Sequence, residues 1–64
     1  MKTTYDKEAN ALYVNFSDEK IASTEELRPG IIFDFDEQGH IIGMEMLDAK
    51  KQLSAEALKS LAAA

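Results

Sequence analysis

Asp34, Asp36, Gln38, Gly39 and Glu45 occupy the first, third, fifth, sixth and twelfth positions of a calcium-loop spacing, with Ile41 at its apolar eighth. Three carboxylates at these intervals offer the oxygen ligands that a hard cation takes. That chemistry needs a helix on each side of the loop, and both flanks here have the alternation of strands. Arg28-Pro29-Gly30 leads into Ile31 to Phe35, and His40 to Glu45 alternates again. In such a hairpin Asp34 and Asp36 share a face while Glu45 lies across it, so wrapping a cation would require rearrangement. Asp34, Asp36, Gln38 and Glu45 are therefore metal candidates of last resort, and no cofactor or metal is expected. The expected role of the acidic segment is a turn, in which Asp36 caps the backbone and Gly39 supplies a positive φ.

Other chemistry finds less support. His40 is the single histidine and there is no cysteine, so one chain cannot build a two-histidine or thiolate zinc site. Its place beside the turn glycine suits a solvated loop side chain better than a general base. Ser17 and Ser23 have no evident base or oxyanion loop beside them. Asp34 and Asp36 as an acid–base pair would need a cleft, for which a chain this small has little room. Tyr5 and Tyr13 read as sheet-packing aromatics, and the three glycines are scattered rather than gathered in a phosphate loop. No catalytic residue is assigned and an enzyme is not expected.

The elements that would position these residues are short. Thr3 to Tyr5 can begin a strand, and Asp6 to Asn10 reads as a polar turn. Ala11 to Phe16 alternates, with Leu12, Val14 and Phe16 on one face and Tyr13 and Asn15 on the other. Ile21 to Leu27, with adjacent Glu25 and Glu26, suits an exposed edge strand. Pro29-Gly30 fits the two central positions of a type II turn. Ile31 to Phe35 and Ile41 to Leu47 are the best-patterned strands. Beyond them the period changes: Ser54 can cap a helix bearing Leu58, Leu61 and Ala62 on one side, with Glu56 in its first turn. The closing Ala62-Ala63-Ala64 extends that helix or frays. The expected fold is α+β, one domain over residues 1–64. Residues 1–49 form a small antiparallel β-meander of four or five strands, and residues 50–64 one C-terminal helix packed on the sheet.

The chain has 64 residues, twelve acidic and seven basic, for a net charge of −5. A chain of this length buries only about 60% of its unfolded surface, so its core wants supplementing. Without cysteine, self-association or docking on another protein is the leading supplement. The acidic surface disfavours direct contact with nucleic acid or an anionic membrane and favours a basic protein. MKTTYDKEAN has no apolar leader segment and no apolar run approaches membrane-spanning length, so a cytoplasmic location is expected.

Ile31, Phe33 and Phe35 form one face of their strand, and Ile32, Asp34 and Asp36 the other. On the next strand Ile42, Met44 and Met46 oppose Ile41, Gly43, Glu45 and Leu47. One helix covers one face. Tyr13, Ile32, Ile41 and Leu47 would then be left partly exposed, either as a dimer or partner surface or as ordinary scattered apolar groups.

Two stretches carry a family resemblance. Tyr5-Asp6-Lys7-Glu8-Ala9-Asn10-Ala11-Leu12-Tyr13-Val14 resembles a YD-x-E-A-(D/N)-A-LY-(I/V) opening. Pro29-Gly30-Ile31-Ile32, Asp34-Phe35-Asp36, Gly39 and Ile42-Gly43-Met44-Glu45-Met46-Leu47-Asp48-Ala49 resemble a G-(V/I)-(V/I)-x-D-x-D-x-x-G-x-(V/I)-G-(I/L)-E-(I/L)-L-x-A core. Together they are similar to the small prokaryotic proteins of domain of unknown function family 2283. Met44 and Met46 depart conservatively from branched aliphatics, and residues after Ala49 match no motif. The resemblance implies a compact β-meander with a terminal helix and no established activity. It also implies an antitoxin-like partnership for some members, thought to be encoded beside small toxins. The motif positions present are Tyr5, Asp6, Asn10, Tyr13, Asp34, Asp36, Gly39, Gly43 and Glu45, with turns, strand pairing and loop-holding as their plainest roles. The functional expectation is a non-enzymatic protein-interaction module, in its most concrete form the partner of a small basic toxin. The alternatives are a self-contained homodimeric structural module and a metal-responsive module.

Overall fold

The computed structural model describes residues 1–63. Five strands, β1 (Lys2–Asp6), β2 (Ala11–Asn15), β3 (Ser23–Arg28), β4 (Ile31–Phe35) and β5 (Ile41–Met46), precede two short helices, α1 (Ala49–Gln52) and α2 (Ala55–Ala63). The strands form one antiparallel sheet in the order β1-β2-β5-β4-β3. The fold is thus α+β, but the sheet is a hairpin (β1-β2) joined to a three-stranded meander (β3-β4-β5) through β2 and β5. The β2–β3 connection crosses one end, where the Phe16 and Ser17 amides both donate to the Ile42 carbonyl and Ala22 N–H donates to Phe35 O.

The turns follow from residue types. Gly30 sits at φ +84° and Gly39 at +86°, as type II geometry and the β4–β5 loop respectively require. β3 is an edge strand exposed along its whole length, as its adjacent glutamates foretold.

The C-terminal segment departs from a single helix over 50–64. Leu53 is extended, at φ −99° and ψ 151°, and separates α1 from α2. Ser54 Oγ then accepts from Ala57 N–H at 3.1 Å, so the expected cap starts α2 rather than interrupting one continuous helix. α2 runs to Ala63; the expectation for Ala64, and for the side chain of Ala62, lies outside the described residues.

Register assigns the two faces. Tyr5, Leu12, Met46, Ile31 and Arg28 form one row across the sheet; Thr3, Val14, Met44, Phe33 and Glu25 form the next on the same face. The helices lie at the end of the first row. Leu58 of α2 shares a cleft with Tyr5, Lys7 and Lys50, and Ala49 is wholly buried. A nine-residue α2 is only about 13 Å long, against about 19 Å across five strands. Among the described residues only Leu12, Ile42 and Ala49 are buried apolar residues, and no large side chain is fully enclosed.

Candidate functional site

Three constructions use the residues that the sequence brings forward. The first is the β1–β2 turn. Asp6 Oδ1 accepts from Glu8 N–H at 3.0 Å and Ala9 N–H at 3.2 Å, closing the turn. Asn10 adopts φ +54°, a conformation that Asn tolerates better than most residues. Its carbonyl accepts from Ala49 N–H at 3.0 Å, and its side-chain oxygen from Lys50 N–H at 3.1 Å and Tyr5 OH at 3.3 Å. Asp6 therefore shapes the turn, and Asn10, braced by Tyr5, ties the first hairpin to α1.

The second is the acidic loop. Asp36 is 7% exposed, and its Oδ1 accepts from His40 N–H at 2.8 Å and Gln38 N–H at 3.0 Å. These amides, the His40 bond foremost, hold its carboxyl below the ordinary range, with a smaller contribution from the His40 ring, whose Nδ1 lies 3.6 Å from Oδ2. Asp36 is the holder of a turn, as expected, and its oxygens point into the loop. Asp34 is engaged elsewhere. Among the described residues no three acidic, histidine or cysteine side chains gather at one point, so Asp34, Asp36 and Glu45 do not converge, and Gln38 meets Asp36 through its backbone N–H.

The third construction lies on the polar face of the sheet. Tyr13 pairs with Glu45, Glu45 with Ile32, and Gly43 with Asp34. Tyr13 reaches diagonally over Gly43, and its OH donates to Asp34 Oδ2 at 2.9 Å, while Thr24 Oγ1 donates to Oδ1 at 2.8 Å. A Cβ at Gly43 would stand 2.5 Å from the Tyr13 hydroxyl and 3.1 Å from Asp34 Oδ2, so the glycine makes room for the crossing ring. The hydrogen bond to Asp34, then desolvation and the Asp34 and Glu45 charges, push the Tyr13 phenol above its ordinary range. A phenol held protonated this way is a donor, not a nucleophile or a base. Thr24 completes the network and was not singled out from sequence, because only the β3–β4 register, with its shift between Glu26 and Arg28, sets it opposite Asp34.

The opposite face is unfinished. Beyond the helices, Phe16, Phe33 and Ile41 line an open groove of about 420 Å³. Phe16 and Ile41 are 44% and 48% exposed, and Val14, Phe33 and Met44 are half-buried. Ile41 arrives there through a register shift. Between Asp34 and Phe35 the pairing slips, so that Phe35 faces Ile41 rather than Ile42.

The structure thus divides the four residues expected to form one partner surface. Tyr13 and Ile32 flank Glu45 on the polar face, and Ile41 lines the groove on the other. Leu47 lies past β5, where its N–H donates to Gly30 O at 2.8 Å. Phe16 and Phe33, placed on strand faces by alternation, were not among the expected surface residues; the shortness of the helical segment is the signal that one end stays open.

No helix among the described residues is long and apolar enough to cross a membrane. Comparison with curated proteins and with solved structures finds no match. The motif residues of both stretches are those that build the turn, the loop and the polar network above. The model of the family described as protein of unknown function (DUF2283) matches residues 2–50, and the chain belongs to that family.

Proposed function

We propose that this chain is a non-enzymatic protein-interaction module that binds through the open apolar end of its sheet. The observation that carries this reading is the groove of Phe16, Phe33 and Ile41, an apolar surface contiguous with half-buried Val14 and Met44. The polar face supports it by contrast. There Tyr13 and Thr24 both donate to Asp34, so its central hydroxyls and carboxylate are committed to one another.

An antitoxin-like role toward a small basic protein is the most concrete heterologous form. The net charge of −5 and the exposed Glu25 and Glu26 of the edge strand favour it. The module reading is tested by capture with three tagged chains: wild type, Phe16→Glu, and Thr4→Glu, which adds the same charge to the polar face. A protein, including an untagged copy of the chain, should be retained by wild type and Thr4→Glu and lost from Phe16→Glu. Equal recovery by all three would place binding elsewhere and remove the reading.

A further inference from the structure

Resting on that reading, we infer that the occupant of the open apolar end is a second copy of this chain, docked by the same patch across a two-fold axis. Three observations carry the assignment.

The first is area. The chain exposes 4727 Å² of surface. A folded monomer of its 7.1 kDa mass typically exposes about 4,100 Å², so roughly 600 Å² stands in excess. A standard interface removes about 800 Å² from each partner, so the excess is close to one half of a stable contact.

The second is charge. Register places Val14, Met44 and Phe33 at the centre of this face with Thr3 and Glu25 at its two edges, while Asp34 and Glu45 lie on the opposite side. The centre of the patch holds no ionisable group. Two copies, each carrying −5, can therefore meet there without placing like charges against one another. A basic partner would find its counter-charges only at the rim.

The third is completion of the core. Among the described residues Leu12 and Ile42 are the only large apolar side chains that the chain buries by itself. Packing sheet on sheet would add Phe16, Phe33, Ile41 and Met44 from both copies to one shared layer, the arrangement of a β-sandwich. An isologous contact closes on itself and leaves no second groove to propagate.

Sedimentation equilibrium on the full chain tests this. The wild type should give twice the 7.1 kDa chain mass. Added sodium chloride should leave the association unchanged or tighten it, because it screens repulsion between acidic copies while the apolar contact is indifferent to it. Phe16→Glu and Ile41→Glu should each weaken the dimer by about a hundredfold or more, since each buries an unpaired charge at the contact. Thr4→Glu should dimerise like wild type. All three positions are exposed in the single chain, and circular dichroism on each variant would check that it folds.

A wild type that stays at the single-chain mass overturns the second-copy assignment. The module reading then stands or falls separately, on whether Phe16→Glu loses a different protein in the capture experiment. A dimer that survives both groove substitutions, or that dissociates in salt, also overturns the assignment.

Discussion

On one face of the sheet Tyr13, Asp34 and Thr24 satisfy one another, whereas on the other Phe16 and Ile41 face water beyond the reach of the helices. Both regions are built from strand residues on the same ladders, and Phe33 and Asp34 are neighbours in the chain. The difference is in what completes them. Hydrogen bonds between side chains can close over a distance of one strand, so the polar face is finished within the chain. Apolar surface is finished only by more apolar surface, and α1 and α2 are too short to supply it. A small protein can thus be fully satisfied in its polar groups and still unfinished in its core. Substitutions on the polar face should therefore move stability and leave association alone, and substitutions in the groove should do the reverse.

The largest change in stability is expected from Gly43→Val. Its side chain would occupy the space crossed by the Tyr13 ring, and overpacking of this kind costs about 1–3 kcal/mol. Each kcal/mol lowers the melting temperature of a domain this size by about 4–8 °C, which calorimetry resolves. A Gly43→Val chain that melts like wild type would show that the ring does not lie over that glycine.

Tyr13→Phe should cost less, about 0.5–1 kcal/mol. It removes one hydrogen bond in a half-buried setting and leaves Asp34 with Thr24. Denaturant melts should show the change in midpoint with an unaltered slope.

The pH dependence sharpens the same contrast. The folded state holds the Tyr13 phenol above its ordinary value of 10.0. Its contribution is fully present below that value and is lost as pH rises through the higher folded one, so alkaline stability should fall less in Tyr13→Phe. Asp36 behaves oppositely. Its carboxyl is held below the ordinary value of 3.8. Its contribution is present above 3.8 and lost as pH falls through the lower folded value. Asp36→Asn should flatten that acid limb without changing the alkaline one.

The smallest effect on single-chain stability is expected from Phe16→Glu, within about 0.5 kcal/mol, because the ring is already exposed. Dilute samples, in which association is negligible, would measure it by chemical denaturation. A large loss there would make Phe16 a core residue of the single chain and erase the contrast.

Much of this fold was legible residue by residue. Alternation places strands at Ala11 to Phe16, Ile31 to Phe35 and Ile41 to Leu47, within one residue of those observed, and residue type places Pro29-Gly30 as a turn, Ser54 as a cap and the glutamates of β3 at an edge. These are local features, fixed by period and by the φ that each residue tolerates. What was not legible depends on contacts between distant segments. The docking of β5 between β2 and β4 has no local signature, and it alone lets Tyr13 reach Asp34. The register slip beside Phe35 carries Ile41 away from Tyr13 and Ile32, although strict alternation groups the three. α1 is fixed by Asn10, some forty positions earlier, and not by any pattern of its own. Of the residues expected to form a partner surface, only Ile41 lines the groove, because the groove lies at the uncovered end of the helix-bearing face while Tyr13 and Ile32 lie on the opposite one.

The most direct test of the central claim, that the open end is an interface between chains, is an isotope-filtered nuclear Overhauser experiment. It would use an equal mixture of labelled and unlabelled chains, so that only contacts between copies give signals. Cross-peaks joining the Phe16 and Phe33 rings of one copy to the Ile41 and Val14 methyls of the other are the predicted result. Intermolecular peaks confined to other residues, or none at concentrations near millimolar, would contradict it.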